Sequence, residues 1–247
     1  MTTHHLPGLF VTGTDTGVGK TYVAAMIARA LAAEGRRVGV YKPAASGCNR
    51  DAHGNLTSDD AVQLWEAAGR PGDLEHVCPQ RFAAPLAPHL AARAEGRELD
   101  FDQLRWGLDY WRPRSDVVIV EGAGGLFSPL SDEKLNIDLA LALGFPLVVV
   151  AANRLGTIHA TIAVLRAAHD SFHGALQRLP FAAVVVNGAT SDDGADPSRK
   201  TNVAEVRRWG HGSKVAKTIE VAFGEVAFRE PCDWFHAAGH APTAARP

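Results

Sequence analysis

Leu9-Phe10-Val11-Thr12-Gly13-Thr14-Asp15-Thr16-Gly17-Val18-Gly19-Lys20-Thr21 runs from a short apolar segment through a glycine-rich turn into an alanine-rich amphipathic stretch. Between a strand and a helix, such a turn is built to hold phosphate. A polyphosphate carries several negative charges. Successive backbone N–H groups at the positive end of a helix meet them without side chains intervening. Gly17 and Gly19 let the backbone come close. Val18, Lys20, Thr21 and Tyr22 continue the cradle. Lys20 adds a point charge for the outer phosphates, and the Thr21 hydroxyl is a ligand for the Mg²⁺ that accompanies a nucleotide. Five residues separate Gly13 from Gly19-Lys20-Thr21 instead of the usual four, and Thr14 stands where a glycine is usual.

Outward from this loop the chain alternates apolar runs with amphipathic stretches, the pattern of βαβ units and a parallel sheet. Strands are predicted over residues 9–12, 37–41, 117–120, 146–151 and 183–186. Helices are predicted over 20–34, 58–68, 100–111, 157–169 and 198–209. Gly35 stands at the usual stop position of the first helix. Ser58 or Asp59 caps the second, and Asp100 with Gln103 gives capping-box spacing. The run Val117-Val118-Ile119-Val120 suits a strand buried on both faces. No repeat or linker divides the chain. The expected fold class is therefore α/β: one P-loop NTPase-like domain, with a mostly parallel central sheet and helices on both faces. Its core spans about residues 8–232, and residues 236–247 are expected to form a loose tail.

The 247 residues are 46% hydrophobic, enough for a sizeable core. A formal charge of −2 with mixed signs argues against a general affinity for nucleic acid or anionic membrane. No apolar run reaches membrane-spanning length, and the first residues do not read as a signal peptide. Three cysteines, Cys48, Cys78 and Cys232, are too few and too irregular for a disulfide framework, so reduced thiols in a cytoplasmic protein are expected.

Three further segments fit a nucleotide site. Tyr41-Lys42-Pro43-Ala44-Ala45-Ser46-Gly47 follows the second strand, where ligands of open parallel sheets bind. Lys42 is placed there to neutralise a developing phosphate or carbamate charge. In Val120-Glu121-Gly122-Ala123-Gly124-Gly125, an acid ends a buried strand beside the phosphate loop, which suits Mg²⁺ binding, direct or through water. Ser58-Asp59-Asp60-Ala61 reads either as a helix start whose acids suit the dipole or as the source of a magnesium ligand.

Together these segments resemble dethiobiotin synthetases, from about residue 9 to 190 and more faintly to 230. The carriers are GTDTGVGKT, YKPAASG, the SDDA helix start, APLAPHLAA at 84–92, VEGAGGLFSPLSD and LGTIHATI. Five intervening residues in the phosphate loop are that family's form. The resemblance implies a ligase using ATP and Mg²⁺ that joins CO₂ (or bicarbonate) to 7,8-diaminononanoate. A carbamate is phosphorylated to a mixed carbamic–phosphoric anhydride, and the second amine closes the ureido ring. It implies that Lys42 and Lys20 are catalytic, that Ser46 contacts the diamine, and that Thr21, Asp60 and Glu121 surround the metal. Gly124 would meet phosphate or substrate, and Asn187 would read adenine, with Ala227 and Phe228 closing over the base. It also implies a homodimer in which Gly156, Thr157 and Ile158 reach the carboxylate of the partner's substrate. The chain departs from the family in having His159 and then Ala160 after Ile158, where members often have Asn and then His, and Gly17 where some members have an acid.

Two other P-loop classes remain as alternatives. Partition or localisation ATPases carry an extra lysine early in the loop, where this chain has Asp15. Amidoligases of cobalamin synthesis usually add a glutaminase domain. His89 and His159 lack partners at metal spacing. Trp106 and Trp111 read as core or subunit contact, Cys48 as a bystander thiol, and Arg207 with Arg208 as a solvated helix face.

Overall fold

The computed structural model describes residues 6–171, 179–191, 194–213 and 215–239. The His4–His5 pair, Asp192 and Asp193 of the polar loop and residues 240–247 of the expected tail lie outside the described residues. Six strands form the central sheet: β1 (Gly8–Gly13), β2 (Val38–Tyr41), β3 (Val117–Glu121), β4 (Leu147–Ala152), β5 (Phe181–Asn187) and β6 (Thr218–Val221). Their order is β6-β5-β4-β1-β3-β2, and every pairing is parallel. All residues of β1, β2, β3 and β5 are buried, so both faces are covered. That is why these strands read as continuous apolar runs and not as alternating ones.

The longer helices are α1 (Lys20–Ala33), α2 (Asp59–Ala67), α3 (Pro88–Ala94), α4 (Phe101–Trp106), α5 (Asn136–Leu143), α6 (Thr157–Ser171), α7 (Arg199–Gly210) and α8 (Trp234–Gly239). α1 packs on β1, β2 and β3 and carries α2 against its flank, while α7 packs on α6 and β6. Gly35 ends α1 with φ +78°, and its N–H donates to Ala32 O. Ser58 caps α2 by accepting the Ala61 N–H.

Several expectations are refined. The helix expected over 100–111 closes at Trp106 and tightens into a 3₁₀ turn, Gly107–Tyr110. Asp100 accepts the Gln103 N–H at 2.9 Å, but Gln103 does not complete the capping box. The Asp100 N–H donates to Gln80 Oε1 instead, so a distant side chain takes that place. α3, α5, β6 and α8 were not expected, and neither were two small bridges: Ala44–Ala45 with Gln80–Arg81, and Asn49–Arg50 with Leu56–Thr57. Trp111 is fully buried and Trp106 is 63% exposed, so the two do not share a core role.

No loose tail begins at His236. Residues 236–239 belong to α8, which packs on α1 and β1 and buries Trp234 and Ala238. Phe228 meets the Trp234 ring at 5.1 Å between centroids. Trp234→Ala should therefore lower unfolding stability by about 3–5 kcal/mol in denaturant titration. A loss near the surface-substitution range of about 0.5 kcal/mol would mean that α8 is not part of the core.

Candidate active site

The strand register brings the site together. Val11 of β1 pairs with Glu121 of β3, and Tyr41 of β2 pairs with Val120 of β3. Lys42 and Glu121 therefore leave the sheet side by side, at the same carboxyl edge from which Gly13 opens the phosphate loop. The chain runs from β1 out past β3 to β2, then returns and crosses to β4 on the other side of β1. An open sheet has its ligand crevice at such a switch point.

The phosphate loop has the backbone that its glycines allow. Gly17 and Gly19 adopt φ +74° and +90°. A methyl group on Gly19 would sit 2.1 Å from Asn187 Nδ2. Lys20 is buried, and its ammonium donates to Asp15 O at 3.0 Å, closing over the loop. Burial lowers its pKa; Glu121 pulls the other way without reversing it, and the Lys42 charge lowers it further. Val18 is buried, while Thr21 and Tyr22 are half-buried on the first turn of α1. The Tyr22 hydroxyl donates to Glu225 O, tying that turn to the segment after β6.

Glu121 is the centre of the charge arrangement. It is fully buried, and its Oε1 accepts from Lys42 Nζ at 2.5 Å and from Thr21 Oγ1 at 2.9 Å. Lys42 also reaches Asp60 Oδ2 at 3.0 Å, from a side chain only 5% exposed. Asp59 instead accepts from Asn49 Nδ2, so Asp60 and not Asp59 joins the cluster. Burial pushes the Glu121 carboxyl up, opposed by Lys42. Burial would lower the Lys42 ammonium, but Glu121 and Asp60 override it and raise its pKa. Burial likewise acts against ionised Asp60, and Lys42 overrides that, holding the carboxyl below its usual range.

Glu121 Oε2 is buried without a hydrogen-bond partner. With half-exposed Asp60 and the Thr21 hydroxyl, it offers a set of hard oxygen donors of the kind that suits Mg²⁺. The residues present therefore fit the metal that a bound nucleotide would bring.

The other sequence candidates lie outside this charge cluster. Ser46 is half-buried beyond the Ala44–Ala45 bridge, on a segment held by Gly47 N–H to Ala84 O and Cys48 N–H to Phe82 O. Two of the quoted segments, 41–47 and 84–92, are thus neighbours. Gly124 adopts φ +77°, and a methyl built on it would lie 3.9 Å from Thr16 Oγ1. Asn187 ends β5 and spends its amide on Val18 O at 2.9 Å, so it clamps the phosphate loop while its buried Oδ1 has no partner. Gly156, Thr157 and Ile158 open α6, where Thr157 is buried with an unpartnered hydroxyl. Their loop meets the phosphate loop through Arg154 and Asp15 at 3.8 Å. Ala227 is exposed, and Phe228 turns toward Trp234. Cys48 is buried, and burial raises its thiol pKa.

Sequence reasoning missed Asn136 and Ser128. Asn136 is fully buried at the start of α5 and bonds to both Ala123 and Ser128. Its only signal is a lone amide among Leu135, Ile137 and Leu139. Arg154, Asn153 and Asn202 were also missed. Asn202 donates to Asn153 Oδ1 at 2.9 Å and so ties α7 to the loop after β4.

The glycines of the loop give a direct test. Gly19→Ala drives a methyl into Asn187 and should weaken ADP binding by at least about tenfold by calorimetry. Gly17→Ala meets nothing within 4 Å. It should cost about 1 kcal/mol of backbone strain, roughly fivefold in affinity at most. Equal losses for the two would contradict the contact with Asn187.

Residues 7–233 match the family model described as an AAA domain. The chain is 45% identical over 232 residues to the ATP-dependent dethiobiotin synthetase BioD of Rhodopirellula baltica, covering 90% of this chain and 88% of that one. It is 36% identical to the protein of the same name from Bacillus subtilis, over 81% and 82% of the two chains. Among solved structures, a ParA family ATPase from Chlorobium tepidum aligns with a TM-score of 0.50 at 14% identity, over 88% of this chain and 86% of that one, a likeness of fold alone. With this level of identity along nearly its whole length, the chain belongs to the family of ATP-dependent dethiobiotin synthetases.

Proposed function

We propose that this chain closes the ureido ring of dethiobiotin from 7,8-diaminononanoate and CO₂, at the expense of ATP and with Mg²⁺, as a step of biotin formation. The observation that carries the reading is the cluster of Lys42, Glu121 and Asp60 beside Thr21 at the mouth of the phosphate loop. A switch ATPase of the partition type would share the sheet and the loop. The identity to dethiobiotin synthetases over most of the chain favours the ligase.

One substrate amine adds to CO₂ and loses a proton, giving a carbamate. A carbamate oxygen attacks the γ-phosphorus, and ADP leaves. The second amine attacks the carbamoyl carbon, phosphate leaves, and the ring closes. Little covalent chemistry falls to the protein, which must align the groups and balance charge. Lys42 faces the carbamate and the transferring phosphoryl group as a cation. Its environment favours the ammonium form, so it acts by charge and not as a base. Lys20 holds the outer phosphates, and Thr21, Asp60 and Glu121 would hold the metal, which would neutralise phosphate oxygens. The Gly124 N–H is a donor for phosphate or substrate, and Ser46 for the diamine. Asn187 Oδ1 is the acceptor that an adenine amino group requires.

The working form in this reading is a cytoplasmic homodimer. The N-terminal turn of α6, with Gly156, Thr157 and Ile158, suits the carboxylate of the partner's substrate. The buried unpartnered Thr157 hydroxyl and the adjacent Leu155, 80% exposed, support this assignment. Cys48, Cys78 and Cys232 are free thiols, as a reducing compartment favours. Among the described residues, no helix is long and apolar enough to cross a membrane.

Phosphate release in the presence of MgATP and bicarbonate should require the diamine and yield dethiobiotin by mass. Hydrolysis indifferent to the diamine would overturn the ligase reading. Lys42→Ala should keep ATP affinity within a few-fold and lower turnover by at least about a hundredfold; near-normal turnover would remove the assigned role. Glu121→Gln should shift the Mg²⁺ titration of activity to higher concentration, and an unchanged titration would count against Glu121 as a metal-side residue.

A further inference from the structure

The strand end at Glu121 continues into Gly122–Gly125, and two side chains from outside that turn decide its shape. Asn136 acts on both polar atoms of one residue: its Oδ1 accepts the Ala123 N–H at 3.0 Å and its Nδ2 donates to Ala123 O at 2.6 Å. The same Nδ2 donates to Ser128 O at 3.1 Å. Ser128 in turn accepts the Gly125 N–H on its hydroxyl at 2.9 Å. The Asn136 N–H donates to Ser128 O, and the Ile137 N–H donates to Leu126 O, so α5 carries the whole turn.

The fit is close enough to specify glycine. A methyl on Gly122 would come within 2.9 Å of Asn136 Oδ1, and one on Gly124 within 2.7 Å of Ser128 Oγ. Four amides of this segment are already used: Gly122 to Val11 O, Ala123 to Asn136, Gly125 to Ser128, and Leu126 to Gly13 O. Among the described residues the Gly124 N–H has no hydrogen-bond partner, and a methyl built on Gly124 would lie 3.9 Å from Thr16 Oγ1 of the phosphate loop.

We infer that Asn136 is a positioning residue for phosphoryl transfer: by fixing both polar atoms of Ala123 it leaves the Gly124 N–H as the free donor beside the outer phosphate. It touches no reacting group and acts through the turn. A neutral carboxamide is suited to this task, because it donates and accepts at once while fully buried. An aspartate would keep the acceptor, lose both donations and face two carbonyl oxygens.

The inference rests on the ligase reading for the identity of the reaction, but its central test needs only nucleotides. On this inference the turn faces the γ-phosphate and not the rest of the nucleotide. Asn136→Ala should therefore lower the affinity for a non-hydrolysable ATP analogue relative to ADP by roughly tenfold, with ADP affinity unchanged. Where diamine-dependent turnover exists, kcat should fall by about a hundredfold, with KM for the diamine moved little. Ser128→Ala removes only the Gly125 contact and should give the same pattern at smaller size, which keeps the test available if Asn136→Ala does not fold. Equal weakening of both nucleotides, or an unchanged ratio in both variants, would overturn the role. Absence of diamine-dependent turnover in the unsubstituted protein would count against the ligase reading and leave the nucleotide ratio to judge Asn136.

Discussion

Glu121 is a carboxylate at the buried end of a central strand, and a buried charge is tolerated only when it is paired and hydrogen-bonded. The surroundings meet that demand from three directions. Lys42 comes from the neighbouring strand, Thr21 from the helix after the phosphate loop, and Asp60, reached through Lys42, from the start of α2. Because β1, β2 and β3 are parallel and in register, all of these elements leave the sheet at one edge. The electrostatic need of one residue and the topology of the sheet therefore point to the same place. One oxygen of Glu121 is still without a partner there, which is the condition for taking up a cation.

The phosphate loop depends on the same edge. Asn187, two strands away on the other side of β1, clamps Val18 O, and α5 holds the glycine turn through Asn136. Few of these contacts are local in sequence: Asn187 and Val18 stand 169 residues apart. Polar contacts within a well-packed frame hold the loop in a shape that a ligand would otherwise have to induce, and such pre-organisation is the main contribution a protein makes to phosphoryl transfer.

The parts legible in the sequence are those with a local cause. β1, β3 and β4 show as apolar runs because both faces are covered, and α1 shows by its alanines and by Gly35. Lys42, Glu121 and the phosphate loop stood out because each stands at or just beyond the end of a strand. What escaped depends on distant partners. Asn136 looks like an ordinary helix residue until the turn it supports is in place, and Gln80 replaces Gln103 in the cap of α4 only through the tertiary fold. α8 was hidden because its burial follows from α1 and not from its own short, histidine-containing pattern. Asn187 was legible as a polar end to a buried strand, but its grip on Val18 was not.

In the proposed function, this edge of the sheet directs a carbamate oxygen at the γ-phosphorus, a step that can be followed by running the reaction briefly with ¹⁸O-labelled CO₂ and ¹⁶O water and weighing the phosphate released. Ring closure through a carbamic–phosphoric anhydride leaves one carbamate oxygen on phosphorus, so singly labelled phosphate is expected in step with dethiobiotin. Unlabelled phosphate formed alongside product from labelled CO₂ would contradict it, because the γ-phosphoryl group would then have gone to water and not to the carbamate.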